Sequence, residues 1–196
     1  MALLAGIALL FVWSAWHPHD WLTWWLETLP ASVGVMVLLS TYSRFRFTTL
    51  CYILIALHVC ILCIGGHYTY AREPFFDWLR PIFGWQRNHF DRLGHFAQGF
   101  VPAMIARELF IRFRIVARRG WMNFLIVTVC MTISAFYELI EWCAAALSGS
   151  ATTAFLATQG DVWDTQKDML LALIGASCAL VFLSRLHDRA LLKVSR

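Results

Sequence analysis

Charge is what this chain has least of. Only 14% of its 196 residues are Asp, Glu, Lys or Arg, where a soluble domain carries about 25%. Apolar and aromatic residues make up 60%, against roughly 45–50% in soluble domains, and mean hydropathy is +0.63. A domain of this size still exposes roughly a third of its unfolded surface, so one core cannot hide that excess. The shortage of charge excludes a soluble globular enzyme, a disordered chain and a nucleic-acid binder. Missing too is the alternating ten-residue pattern of a transmembrane barrel. Internal repeats, low-complexity tracts and linkers are also absent, so residues 1–196 read as a single transmembrane domain. None of Cys51, Cys60, Cys63, Cys130, Cys143 and Cys178 lies in a clearly exterior loop, which argues against a disulfide framework. The fold class left is an all-α polytopic membrane helix bundle.

Crossing the hydrocarbon core takes about 20 helical residues. Six stretches approach that length: Ala2 to Trp16, about Leu29 to Tyr42, Phe47 to Gly66, about Leu93 to Ile111, Trp121 to Leu147, and about Asp168 to Leu186. Pro30 would fall in the first turn of the second span, where proline is tolerated. The first span is short and has no basic residue before it and no small-x-small cleavage site after it. It is expected to be a retained helix and not a signal peptide. A start upstream of Met1 would lengthen it and supply the missing charge.

Basic residues set the orientation. With a cytoplasmic N-terminus, the inner side holds Arg44, Arg46, Arg107, Arg112, Arg114, Arg118, Arg119, Arg185, Arg189, Lys193 and Arg196, which is eleven of sixteen. The outer side keeps Arg72, Arg80, Arg87, Arg92 and Lys167. The positive-inside rule then places both termini in the cytoplasm of a multi-pass inner-membrane protein. Trp21, Trp24 and Trp25 read as an interfacial belt. Ala71 to Phe90 is too short and too interrupted to span, and is expected to lie on the outer leaflet. His17 and His19 read as loop residues and His58 as a structural imidazole, while the basic tail reads as a contact for anionic lipid headgroups. Cys60, Cys63 and His67 share a helical face at i, i+3, i+7, a spacing that would suit a metal. Cysteine is also simply a small apolar residue in membrane helices, the favoured reading here.

Ionisable side chains in a membrane helix are costly and usually mark a site or pathway. Here they form a pattern. Asp91, His95 and Gln98 open the fourth span at i, i+4, i+7, one helical face. Glu138 and Glu141 close the fifth at i, i+3. Asp161, Asp164 and Asp168 lead into the sixth and share a face if that helix begins near Asp161. The topology puts all three sets at one depth, near the outer surface. Asp91, Asp161 and Asp164 would also serve as helix caps or first-turn acids. The paired glutamates are harder to explain by structure alone. The candidate site is therefore Asp91, His95, Glu138, Glu141, Asp164 and Asp168.

Carboxylates crowded at low dielectric cannot all stay charged. Protons, a cation, or partners such as Arg92 and Lys167 must relieve them, and two cations fall short. Two chemistries stay open. A divalent metal held by His and carboxylates would activate water. Without metal, a protonated glutamate paired with His95 would serve as general acid or base. The sequence leaves the cofactor and the oligomeric state open.

The segments Arg87 to Phe100, Tyr137 to Trp142 and Gln159 to Met169 closely resemble the YjdF family of bacterial inner-membrane proteins. The resemblance runs along nearly the whole chain and implies an inner-membrane protein without specifying a reaction. More distantly, the same segments are similar to the VanZ-like proteins, linked to glycopeptide-antibiotic resistance. That pattern has an Asp and a His opening one helix, a Glu in the next, and an Asp seven residues before a Gly in the last. Here the matching positions are Asp91, His95, Glu138, Asp168 and Gly175. Glu141 and Ala172 depart from it, standing where the VanZ-like pattern tends to have Gln and Asn.

Three functions compete. The expected one is an outward-facing carboxylate/histidine site acting on a lipid or lipid-linked envelope substrate. The alternatives are a proton- or cation-coupled transporter and a non-catalytic membrane factor. Transporter coupling sites usually lie at the bilayer midplane between inverted repeats. A cluster near one surface, in a chain without visible repeats, counts against transport.

Overall fold

A computed structural model describes residues 2–148 and 159–194. Among these residues the chain forms seven α-helices, one 3₁₀ turn at Tyr70–Arg72 and no strand. The helices are α1 (Ala2–Ser14), α2 (Trp21–Thr41), α3 (Thr49–Tyr68), α4 (Pro74–Phe83), α5 (Phe90–Arg112), α6 (Arg119–Ser148) and α7 (Asp164–Val194). In lipid every backbone polar group must be satisfied internally, so helices are the expected outcome for such apolar runs. Arg196 lies outside the described residues.

Helices α2, α3, α6 and α7 are long and apolar enough to cross a membrane. The 23 residues of α5 reach about 35 Å at 1.5 Å per residue. Its mean hydropathy is lowered by Asp91, Arg92, Arg107, Glu108 and Arg112. The 13 residues of α1 reach only about 20 Å, and this helix leans on α3.

The second span starts earlier than its hydropathy indicated. Asp20 caps α2 by accepting the Thr23 N–H at 2.7 Å, so the helix begins at Trp21 and Pro30 lies inside it. Trp24 is not part of a belt. It is buried, its indole N–H donating to Ser14 Oγ at 3.2 Å, while Trp21 and Trp25 stay exposed. Glu27 is thereby drawn into the bundle on the buried side of α2. The last helix starts at Asp164, so Asp161 stands in the preceding turn and only Asp164 and Asp168 share a helical face.

Helix α4 has its own stop and start signals. Glu73 caps it through the N–H groups of Phe75 and Phe76, and Gly84 ends it at φ 66°. Phe75, Trp78, Ile82 and Phe83 are exposed, while Asp77 and Arg80 pair at 3.2 Å. This polar-and-aromatic split suits a helix lying in the headgroup region.

Helix α5 is the axis of the bundle and packs against α3, α6 and α7. It runs parallel to α7, because Arg87 pairs with Asp164 at one end and Arg107 meets His187 at the other. The two helices touch backbone to backbone. A Cβ at Gly99 would fall on the carbonyl of Ala172, and one at Gly175 on the carbonyl of Phe96. Small residues allow such approach where lipid supplies no hydrophobic drive for helix association. Towards the Arg107 end lies an apolar core containing Leu54, Val101, Met104, Ile126, Ala176 and Leu180. Phe136, Trp142, Val181 and Phe182 point outward, as lipid-facing positions should.

Candidate functional site

The parallel register of α5 and α7 brings Asp91 and His95 level with Asp164 and Asp168, and α6 adds Glu138 from the side. Asp91, His95, Glu138, Asp164 and Asp168 are all buried. His95 stands between two carboxylates. Its Nε2 is 3.5 Å from Asp91 Oδ1 and its Nδ1 is 3.7 Å from Glu138 Oε1. Asp91, His95 and Asp168 each offer a ligand atom, all within 4.8 Å of one another.

Arg87 is the cation that composition alone did not single out. It pairs with Asp164, with Asp91 Oδ2 at 3.4 Å and with Asp161 at 3.6 Å. Burial alone would lower its pKa, but the hydrogen bond and charge of Asp164 outweigh that and raise it above the ordinary arginine value. Arg92 and Lys167, the two partners expected from the sequence, both serve Asp161 instead, at 3.2 and 2.5 Å. Lys167 and the Trp163 N–H hold the Asp161 carboxyl below its usual range. Among the described residues no Lys or Arg reaches ion-pair distance of Asp168 or Glu138.

The loop carrying Arg87 is fastened on two sides. Buried Asn88 donates its side-chain N–H to Glu73 O at 2.8 Å, and its Oδ1 accepts the Phe90 N–H at 2.9 Å. Its backbone exchanges two hydrogen bonds with the Gln159 amide, at 2.9 and 3.0 Å. Next to this loop, burial and the charges of Arg92 and Arg87 lower the pKa of His89.

Below the cluster opens a cavity of about 210 Å³, lined on the polar side by Glu27, Tyr70, Asp91, His95, Tyr137 and Glu141. Glu141 therefore faces the cavity, together with Asp91 and His95. Gln98 and His58 line it deeper, beside Pro30 and Pro102. Two wall residues escaped the sequence reading because neither spacing nor motif connects them to the site. Glu27 comes from α2 and accepts a 2.9 Å hydrogen bond from Tyr137 of α6. Tyr70 is wedged so that a Cβ on Gly65 or Gly94 would strike its ring. Thr69 delivers it at φ 62°, an unusual conformation for a β-branched residue.

The opposite end of the bundle carries a second buried network that no local spacing announces. Glu108 is fully buried. It accepts from the Thr48 N–H at 2.9 Å, Thr48 Oγ1 at 2.8 Å, Arg112 at 3.0 Å and His187 Nε2 at 3.0 Å. Arg107 donates to His187 Nδ1 at 2.9 Å. Because Arg can only donate, Nδ1 is the acceptor and Nε2 carries the proton. This network is satisfied and ties α3, α5 and α7 together. His67 turns its Nδ1 to the Ser14 carbonyl at 3.1 Å and stacks on Trp13, away from a shared role with Cys60 and Cys63. His19 lies 2.8 Å from Arg72.

The family model described as "Predicted membrane protein (DUF2238)" matches residues 1–189. The chain belongs to the DUF2238 family. Among curated proteins it is similar to "Inner membrane protein YjdF" of Escherichia coli (strain K12), 46% identical over 185 residues, covering 94% of this chain and 88% of that protein. No solved structure matches. This DUF2238 protein is thus an integral, multi-pass protein of the bacterial inner membrane. Its acidic cluster and cavity lie inside the segment that the family model covers.

Proposed function

We propose that the protein works from its acidic end, turned outward with both termini in the cytoplasm, and that His95 with its flanking carboxylates performs acid–base chemistry on a lipid or lipid-linked envelope substrate. The observation that carries this reading is His95, buried between Asp91 and Glu138 in the wall of the cavity. A histidine so placed holds or releases a proton according to what the two carboxylates do.

The cavity supports a lipid-borne substrate over a soluble one. Its 210 Å³ is below the roughly 300–1,000 Å³ of pockets that enclose a drug-sized ligand. A polar head group fits, and the remainder of a lipid would stay in the bilayer. Leu62, Pro30, Pro102 and Ile133 give the deeper wall an apolar lining. Helix α2 packs mainly on α3, and α6 on α5 and α7. The side of the cavity between α2 and α6 is bridged by the Tyr137–Glu27 hydrogen bond, a natural place for lateral entry. The eleven-to-five division of basic residues supports the orientation.

The test compares cells lacking the gene with cells expressing wild type, Glu138→Gln, Glu141→Gln or Arg118→Gln at equal membrane levels. Extracted lipids and lipid-linked precursors are profiled by mass spectrometry. Wild type and Arg118→Gln should restore the same change in at least one species, and the two Gln variants at the acidic end should not. Full restoration by both glutamate variants would remove the acid–base reading. Impermeant thiol labelling of intact cells should reach Gln86→Cys and not Arg189→Cys. The reverse pattern would turn the site to the cytoplasm.

A second reading rests on His58, because the cavity runs from Asp91 down α5 to Pro102 and to His58 on α3. Eleven residues of helix cover about 16 Å, half the hydrocarbon core. A path of that depth suits proton or cation coupling. Loss of proton flux in reconstituted vesicles on His58→Gln, with lipid profiles unchanged, would favour it.

A further inference from the structure

We infer that the acidic end binds one divalent transition-metal ion, with Asp91, His95 and Asp168 as ligands and Glu138 as the carboxylate that orients the His95 ring. This deepens the acid–base reading of the same site, and the role of the ion rests on that reading.

Spacing is the first support. A tetrahedral ion with bonds of about 2.1 Å holds its ligand atoms about 3.4 Å apart. Asp91 Oδ1 and His95 Nε2 are 3.5 Å apart, a separation that fits two ligands of one ion better than a hydrogen bond of about 2.9 Å. Asp168 joins them, the three residues each offering one ligand atom within 4.8 Å of the others. Asp91 divides its oxygens, Oδ2 towards Arg87 and Oδ1 towards His95, so its ion pair leaves the ligand oxygen available.

Unpartnered buried atoms are the second, independent support. Among the described residues His95 Nδ1, Glu138 Oε1 and Asp168 Oδ1 have no hydrogen-bond partner, although all three residues are more than nine-tenths buried. Buried polar atoms are rarely left so, and each such exception calls for a cause. His95 Nδ1 and Glu138 Oε1 face each other at 3.7 Å. An ion on Nε2 fixes the proton on Nδ1, which then donates to Glu138 when the site contracts. Ligand histidines usually pass their second nitrogen to such a carboxylate. Charge points the same way. Arg87 is drawn to Asp164 and Asp91, Arg92 and Lys167 to Asp161, and the ion supplies what Asp168 and Glu138 lack.

One imidazole with two carboxylates suits Zn²⁺ or Mn²⁺ over Mg²⁺, which prefers an all-oxygen shell with several waters. Three protein ligands leave a position open for water or substrate.

The other group of metal-type side chains among the described residues, Cys51, Glu108 and His187, supplies the control. There His187 Nε2 already donates to Glu108 at 3.0 Å, so its lone pair is not free for an ion.

Purified full-length protein in detergent is stripped with chelator and offered Zn²⁺, Mn²⁺ or Mg²⁺ singly. Bound metal is counted by elemental mass spectrometry after gel filtration, and affinity is read by titration calorimetry. Zn²⁺ or Mn²⁺ should bind at one ion per chain. His95→Gln and Asp168→Asn should abolish that binding or weaken it more than a hundredfold, Glu138→Gln should weaken it 10–100-fold, and Cys51→Ser should leave it unchanged. Monodisperse elution of each variant guards against misfolding. No stoichiometric binding by wild type, retention in both ligand variants, or loss in Cys51→Ser would each overturn the site. Lipid profiles separate the two claims. A Glu141→Gln defect without metal binding keeps the acid–base reading and removes the ion. Metal binding by wild type, with Glu138→Gln and Glu141→Gln both fully restoring the lipid profile, keeps the ion and removes the acid–base reading.

Discussion

The phenol of Tyr137 on α6 donates a 2.9 Å hydrogen bond to Glu27 on α2, joining two helices that otherwise pack on different neighbours. If this bond holds that side of the cavity together, the two residues must be energetically coupled. Tyr137→Phe and Glu27→Ala, each of which removes the bond, should each cost about 1 kcal/mol or more in thermal unfolding of the purified protein. The double variant should lose no more than the larger single loss. Additive losses would mean that the bond contributes nothing.

The backbone contact between α5 and α7 sets the register of the whole acidic cluster. Gly99→Ala and Gly175→Ala should each destabilise by about 2–3 kcal/mol, because the new Cβ meets a carbonyl and not a movable side chain. Gly34→Ala, where a Cβ meets nothing, should be neutral or slightly stabilising. Equal melting temperatures for all three would contradict this packing.

Acid should loosen the turn that leads into α7 through Asp161. Its folded-state pKa is depressed by Lys167 and the Trp163 N–H. A depressed carboxyl contributes stability that is fully present above its unfolded value, near 3.9. That contribution is lost as pH falls through the folded value. Asp161→Asn should therefore flatten the fall in melting temperature below about pH 4. An unchanged acid limb would show that the ion pair is without consequence.

Local spacing made part of this protein legible. Asp91 and His95 lie four residues apart, and Glu138 and Glu141 three, so each pair could be placed on a helical face before any fold was known. The long apolar runs marked α3, α6 and α7 for the same reason. The start of α2 was hidden because Asp20, Glu27 and three tryptophans lower its apparent hydropathy, although Asp20 is the cap that begins the helix. Glu27 and Tyr70 carried no signal, since they reach the site through tertiary contacts from another helix and a 3₁₀ turn, while Arg87, four residues before Asp91, gave no local sign of its pairing with Asp164. Glu108 and His187 lie 79 residues apart, and only the parallel register of α5 and α7 brings them together.

That register gives the molecule two buried charged ends of different character. Glu108 is satisfied on all sides, whereas Asp168 has an unpartnered oxygen and no cation at ion-pair distance among the described residues. A carboxylate kept for structure should be costly to neutralise, and one kept for function should not. The most direct measurement is the melting temperature of chelator-treated Asp168→Asn beside Glu108→Gln. Glu108→Gln should fall by several degrees, since removing one member of a buried ionic network costs about 3–5 kcal/mol. Asp168→Asn should match or exceed wild type. A comparable fall in Asp168→Asn would make the acidic end a structural clasp like the other and contradict its proposed role as the working site.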